Sequence, residues 1–131
     1  MPTNKTVSIS GGCHCGNVRF TATVNKQLDV INCNCSICRM TGYQHIIVRR
    51  KDFELDSGEA ALSCYQFNTQ VAKHYFCHNC GIKSFYIPRS NPDGVSINAN
   101  CVDDLSMCRV TESGFDGVHW EDNAEDLKHL T

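Results

Sequence analysis

Three thiols fall within six residues at Cys33-Asn34-Cys35-Ser36-Ile37-Cys38, and two further pairs, Cys13-His14-Cys15 and Cys77-His78-Asn79-Cys80, bracket them. Disulfides between cysteines so close in sequence are awkward, because the Cα separation and the Cβ directions must meet a narrow geometry. A metal ion instead accepts ligands from a tight backbone turn. Ten cysteines in 131 residues mean either a disulfide framework in an oxidising compartment or metal thiolates in a reducing one, and the close spacing selects the second. The opening Met1-Pro2-Thr3-Asn4-Lys5-Thr6 lacks the apolar core of a signal peptide, and no later apolar run has the length of a membrane span. A soluble, cytoplasmic protein without a membrane partner is expected. The net charge of -2 argues against nucleic acid as a partner, since phosphate binding calls for a basic face. The run Arg49-Arg50-Lys51 reads as a solvated strand end.

The length suits one domain over residues 1–131, with no internal repeat, low-complexity tract or linker. Val18, Phe20, Ala22 and Val24 alternate with Arg19, Thr21 and Thr23, the pattern of a half-buried strand. Shorter strands are expected at Val7 to Ile9, Leu28 to Ile31, His45 to Val48, Phe53 to Leu55, Leu62 to Gln66, Ala72 to Phe76, Ser84 to Ile87 and Val95 to Ala99. Ser36 to Met40 reads as one helical turn ended by Gly42. Asn91-Pro92-Asp93-Gly94 has the residue order of a type I turn. Asp116 to Trp120 reads as a last extended piece, and Ala124, Leu127 and Leu130 as one side of a short helix. Many short strands with glycine turns indicate a mostly β fold.

Structural zinc takes four ligands in a tetrahedron, and Cys13, Cys15, Cys77 and Cys80 supply that number from two turns. Gly81 after the second pair lets backbone N–H groups approach sulfur. Cys33, Cys35 and Cys38 supply only three, the pattern of a catalytic zinc that keeps a position open. Cys64, Cys101, Cys108 or His45 is a candidate fourth ligand that would close the site and make it structural. An iron–sulfur cluster and a redox disulfide between Cys35 and Cys38 are minor alternatives. His14 and His78 lie inside the cysteine turns and are expected to point outwards, while His119 and His129 read as surface residues.

With these residues in place, the chain resembles the glutathione-dependent formaldehyde-activating (GFA) family, also called the centromere protein V/GFA domain. The resemblance runs from Gly11-Gly12-Cys13-His14-Cys15-Gly16-Asn17-Val18-Arg19-Phe20 through the central triplet to Phe76-Cys77-His78-Asn79-Cys80-Gly81. The centromere protein V branch is the more similar one, through Tyr65-Gln66-Phe67-Asn68-Thr69, Ser84-Phe85-Tyr86-Ile87-Pro88-Arg89-Ser90-Asn91-Pro92 and Phe115-Asp116-Gly117-Val118-His119-Trp120-Glu121. It implies an Mss4-like, zinc-stapled β-sheet fold with two zinc sites, a structural one at Cys13, Cys15, Cys77 and Cys80 and a second at Cys33, Cys35 and Cys38. It also implies carbon–sulfur lyase chemistry, the addition of glutathione to formaldehyde to give S-hydroxymethylglutathione.

Coordination to zinc deprotonates a thiol outright and makes it a nucleophile at neutral pH. Three thiolates around one Zn2+ leave a negative centre, which favours delivery of sulfur over activation of the carbonyl. Cys33, Cys35 and Cys38 are thus the expected catalytic centre, binding a thiol such as glutathione and an aldehyde. Arg39 is placed to meet a substrate carboxylate, and Tyr43 or His45 to shuttle a proton. The competing reading is a non-catalytic zinc-binding interaction module. An Mss4-like role in binding small GTPases rests on fold analogy alone.

Overall fold

The computed structural model describes residues 5–67 and 71–119. Its strands are β1 (Thr6–Gly12), β2 (Arg19–Asn25), β3 (Gln27–Cys33), β4 (Gln44–Arg49), β5 (Phe53–Ser57), β6 (Leu62–Tyr65), β7 (Lys73–Cys77), β8 (Phe85–Ile87), β9 (Gly94–Asn98) and β10 (Arg109–Phe115). One short helix, α1 (Ser36–Thr41), follows β3 and ends at Gly42 in the left-handed conformation, φ 66°. The expected mostly β architecture is what forms.

The strands make two sheets, β1-β2-β5 and β10-β3-β4-β9-β8-β7-β6. All pairs are antiparallel except β10 with β3. The core lies between the sheets. Ile9, Phe20, Ala22 and Val24 of the small sheet belong to one cluster with Leu28, Val30, Ile46, Val48, Phe85, Val95 and Ile97 of the large one. Phe53 joins them, its ring centroid 5.6 Å from Phe20 and 4.8 Å from Phe85. Burying Phe20 alone stabilises the fold by roughly 1.5–3 kcal/mol.

The run from His45 to Val48 is apolar because β4 is covered on both faces. Ile46 and Val48 enter the core, whereas His45 and Ile47 line a cavity on the opposite face of the sheet. Register carries that second face across neighbouring strands: Ile47 pairs with Ser96, Ser96 with Tyr86, and Tyr86 with His74.

One expectation needs correction, and one strand was missed. Residues 116–119 form a turn, because Asn34 holds them there by accepting from Val118 N at 3.0 Å and donating to the Asp116 carboxylate at 3.2 Å. The preceding strand, β10, was not expected: its residues are exposed up to Phe115, so no apolar alternation marks it. The expected helix around Ala124, Leu127 and Leu130 lies outside the described residues, as do Trp120 and His129.

Candidate metal centres and active-site cavity

Gly12 ends β1 and Cys77 ends β7, so the two outer cysteine turns meet at one end of the core. Cys13 and Cys77 are buried, and the four sulfurs of Cys13, Cys15, Cys77 and Cys80 all lie within 4.8 Å of one another. Cys15 Sγ is 3.6 Å from Cys13 Sγ and 3.7 Å from Cys77 Sγ. A tetrahedron with zinc–sulfur bonds of about 2.3 Å has edges of about 3.8 Å, whereas a disulfide would need about 2 Å. The donor set therefore fits a four-thiolate zinc site. Val18 N–H donates to Cys13 Sγ at 3.3 Å. Although burial pushes the Cys80 thiol up, hydrogen bonds from the Cys15 and Ile82 backbone bring it down to about 6. His14 and His78 are exposed, as expected of residues at the tips of these turns.

The second cluster is built where β3 runs into α1. Cys33 closes the strand, Cys35 caps the helix, and Cys38 is buried one turn on. Their sulfurs again lie within 4.8 Å of one another. Hydrogen bonds from Cys33 and Cys38 pull the Cys35 thiol far down, while those with Cys33 and Cys35 push Cys38 far up. Three thiols this close cannot all ionise by themselves; a cation among them is what permits it, so the donor chemistry fits a metal here too. Gly117 roofs the cluster, because a Cβ at that position would collide with Cys33 Sγ.

Among the described residues no fourth side chain joins this trio. Cys64 is exposed on β6, and Cys108 is partly buried against the core. Cys101 donates to Lys83 O at 3.9 Å, and burial, followed by the nearby Cys13 and Cys80, pushes its thiol up to about 11. His45 comes nearest. Its Nε2 lies 3.1 Å from Cys38 Sγ, and its Nδ1 lies 2.9 Å from Ser96 Oγ and 3.3 Å from the Tyr86 hydroxyl. It touches one sulfur of the three and orients it, as an outer partner of a ligand does. Burial holds its pKa down at about 3, so the ring is neutral.

The trio opens into a cavity of about 480 Å3. Ile31, Ile37, Ile47 and Phe115 make much of its wall, and His45, His74, Tyr86 and Arg89 supply polar groups. Of the three residues expected to meet substrate, only His45 lines it. Tyr43 is buried with its hydroxyl donating to Ser96 O at 2.7 Å, and Arg39 is exposed on α1 outside the cavity. On a helix the residue after a buried one is turned about 100° away, so Arg39 faces out because Cys38 faces in. His74 and Arg89 are wall residues that the sequence reading did not single out.

Residues 8–116 match the family model described as glutathione-dependent formaldehyde-activating enzyme. The chain belongs to this family. The matched span includes all seven cysteines of the two clusters, together with His45, His74 and Arg89. A Halomonas elongata protein named "Putative glutathione-dependent formaldehyde-activating enzyme" is 29% identical over 103 residues, 72% of this chain, which spans 66% of that relative's length. A crystal structure of a Rhodobacter sphaeroides protein is similar with a TM-score of 0.65 at 34% identity, covering 78% of this chain and 99% of that one. The family model and the Halomonas relative carry the GFA description and the Rhodobacter structure shares the fold; the centromere protein V branch is not shown by them. Among the described residues no helix is long and apolar enough to cross a membrane.

Proposed function

We propose that this GFA-family chain is a zinc-dependent carbon–sulfur lyase that joins a thiol, glutathione or a relative of it, to formaldehyde or another small aldehyde and catalyses the reverse cleavage. The observation that carries the reading is the three-sulfur cluster, which lacks a fourth ligand among the described residues and faces a cavity large enough for a thiol and an aldehyde. A thiolate-dependent reaction suits a reducing compartment, and we place the protein in the cytoplasm.

Zinc held by Cys33, Cys35 and Cys38 would supply the positive charge that keeps sulfur ionised at neutral pH, together with an exchangeable coordination position. The protein's own residues do the rest. His45 holds Cys38 through Nε2, and Ser96 and Tyr86 hold His45 through Nδ1. Gly117 and the Asn34 contacts close the cluster from the β10 side. The isoleucine and phenylalanine walls lower the polarity around the cluster, which strengthens electrostatic interactions within the cavity. The thiolate attacks the aldehyde carbon, and the carbonyl oxygen takes up a proton as the hemithioacetal forms.

Cys35→Ser tests the reading. The variant is expected to stay folded, lose one equivalent of zinc and lose adduct formation between glutathione and formaldehyde, measured by exchange NMR against the uncatalysed background. Unchanged acceleration with one zinc missing would refute it.

A further inference from the structure

Lys83 is 8% exposed, and its Nζ sits 2.6 Å from His74 Nδ1 and over the rings of Tyr86 (4.0 Å) and Tyr43 (4.8 Å). Among the described residues no carboxylate pairs with it. An ammonium buried without a carboxylate is expensive, and a side chain that serves only packing has no need of one. His74 is equally constrained. Its ring is stacked on Tyr86, centroids 4.7 Å apart at 13°, and on Phe67, 5.4 Å apart at 26°.

The ring lines the cavity. Nδ1 is occupied by Lys83, and Nε2 has no partner among the described residues, where no fully buried side-chain nitrogen or oxygen lacks one. Nε2 is therefore the edge turned to the cavity. Two protonation states preserve the 2.6 Å hydrogen bond. With Lys83 charged, its ammonium can only donate, Nδ1 accepts, and Nε2 presents N–H to the cavity. With Lys83 neutral, Nδ1–H donates to the amine and Nε2 presents a lone pair. The two states differ by one proton: shifting one proton along the bond while another leaves or enters at Nε2 interconverts them without moving a heavy atom.

We propose that His74 and Lys83 form a proton relay that takes the proton lost by the entering thiol and returns it to the oxygen of the aldehyde adduct. This rests on the thiol–aldehyde reading above. In molecules whose Lys83 is neutral, a minority at pH 7 that grows as pH rises towards 8, the thiol gives its proton to Nε2 while Nδ1–H passes one to the Lys83 amine. The thiolate attacks the aldehyde carbon, the C=O π pair moves to oxygen, and that oxygen takes a proton from Nε2 as Lys83 returns one to Nδ1. The sum is RSH + R′CHO → RSCH(OH)R′, in which an S–H bond and a C=O π bond are replaced by C–S and O–H bonds. Nothing is oxidised or reduced.

The electrostatics agree with that geometry. Burial brings Lys83 down to about 8, near the pH at which it must both hold and release a proton, against the opposing pull of Cys38, Cys35 and Cys33. Burial, then the charge on Lys83, brings His74 down to about 4, so the ring works as a neutral carrier rather than as an imidazolium. Among the described residues the other ionisable groups around the pair include Tyr65 on β6, its ring centroid 6.4 Å from that of His74, together with Tyr86 on β8, Tyr43 just before β4 and His45 on β4. Burial drives the Tyr86 and Tyr43 phenols up and the His45 ring down, so these last three stay neutral.

The test uses the zinc-loaded full chain with glutathione and formaldehyde, comparing wild type with Lys83→Met, Lys83→Arg and His74→Phe. Each variant is expected to keep its zinc and to lose about tenfold to a hundredfold in kcat, with a smaller change in KM. Lys83→Arg is the discriminating case, because a guanidinium keeps the charge and the donor but does not give up its proton. Nitrogen-15 NMR of His74 supplies a readout independent of turnover. Wild type at pH 7 is expected to show Nε2–H, Lys83→Arg to retain it at every pH, and wild type above pH 9 to shift towards Nδ1–H. Full kcat in Lys83→Arg, or no tautomer shift in wild type, overturns the relay. Wild type that gives no acceleration overturns the thiol–aldehyde reading instead, and the NMR series then decides whether the two-state pair exists.

Discussion

His45 turns Nε2 to within 3.1 Å of Cys38 Sγ while Ser96, on the neighbouring strand β9, fixes its other nitrogen at 2.9 Å. The buried sulfur of the open cluster is thus oriented from β4 and β9, not from its own helix.

Replacing His45 should therefore weaken the second metal and spare the first. His45→Phe is expected to lower zinc affinity at Cys33, Cys35 and Cys38 about tenfold to a hundredfold, as loss of an outer partner of a ligand typically does. A two-phase chelator titration checks this. The phase belonging to Cys13, Cys15, Cys77 and Cys80 should not move.

Gly117→Ala asks for space where Cys33 Sγ already lies, and where Cys35 Cβ would be only 2.9 Å from the new methyl. Overpacking of this kind costs about 1–3 kcal/mol. Because the residues after β10 are held by hydrogen bonds at Asn34, the strain is expected to fall on the triplet. The variant should bind a single zinc, with a Tm lowered by only a few degrees, read by metal analysis and calorimetry.

The four-sulfur site behaves differently, because Cys77 is completely buried and joins the start of the small sheet to the far strands of the large one. Cys77→Ser, or exhaustive chelation of wild type, is expected to unfold the domain cooperatively rather than merely inactivate it. Circular dichroism during chelation should show strand content lost together with the second equivalent of zinc.

Lys83→Met should make the protein more stable although less active. Burial lowers the folded-state pKa of Lys83 from 10.5 to about 8. Above pH 10.5 the lysine is neutral in both states and carries no penalty. As pH falls to 8 the unfolded chain gains its proton first, and the folded state loses stability relative to it. Below 8 the penalty is complete. The variant is expected to gain about 1–3 kcal/mol at pH 7, a gain that shrinks towards pH 10.5, as measured by urea unfolding at both pH values.

The cysteine spacing and the Val18 to Val24 alternation were legible without a structure, since each rests on a local period. Lys83 and His74 were not. Period-two alternation places His74 opposite Tyr75 on β7, but only the stacking of the small sheet on one face of the large one makes the His74 side a cavity. Lys83 meets His74 across nine residues of chain, through the turn that carries Cys77 and Cys80. Arg39 misled because sequence adjacency to Cys38 is not adjacency in space on a helix. β10 escaped notice because an exposed strand with a parallel partner needs neither an apolar alternation nor a nearby turn.

The large sheet gives neighbouring residues of one strand different duties. On β4, Ile46 and Val48 answer to packing, while His45 and Ile47 answer to whatever occupies the cavity. Tolerance to mutation should consequently alternate along that strand, and a library confined to Ile31, Ile47 and Phe115 could remodel which small molecules the cavity admits while leaving the hydrophobic interior as it is.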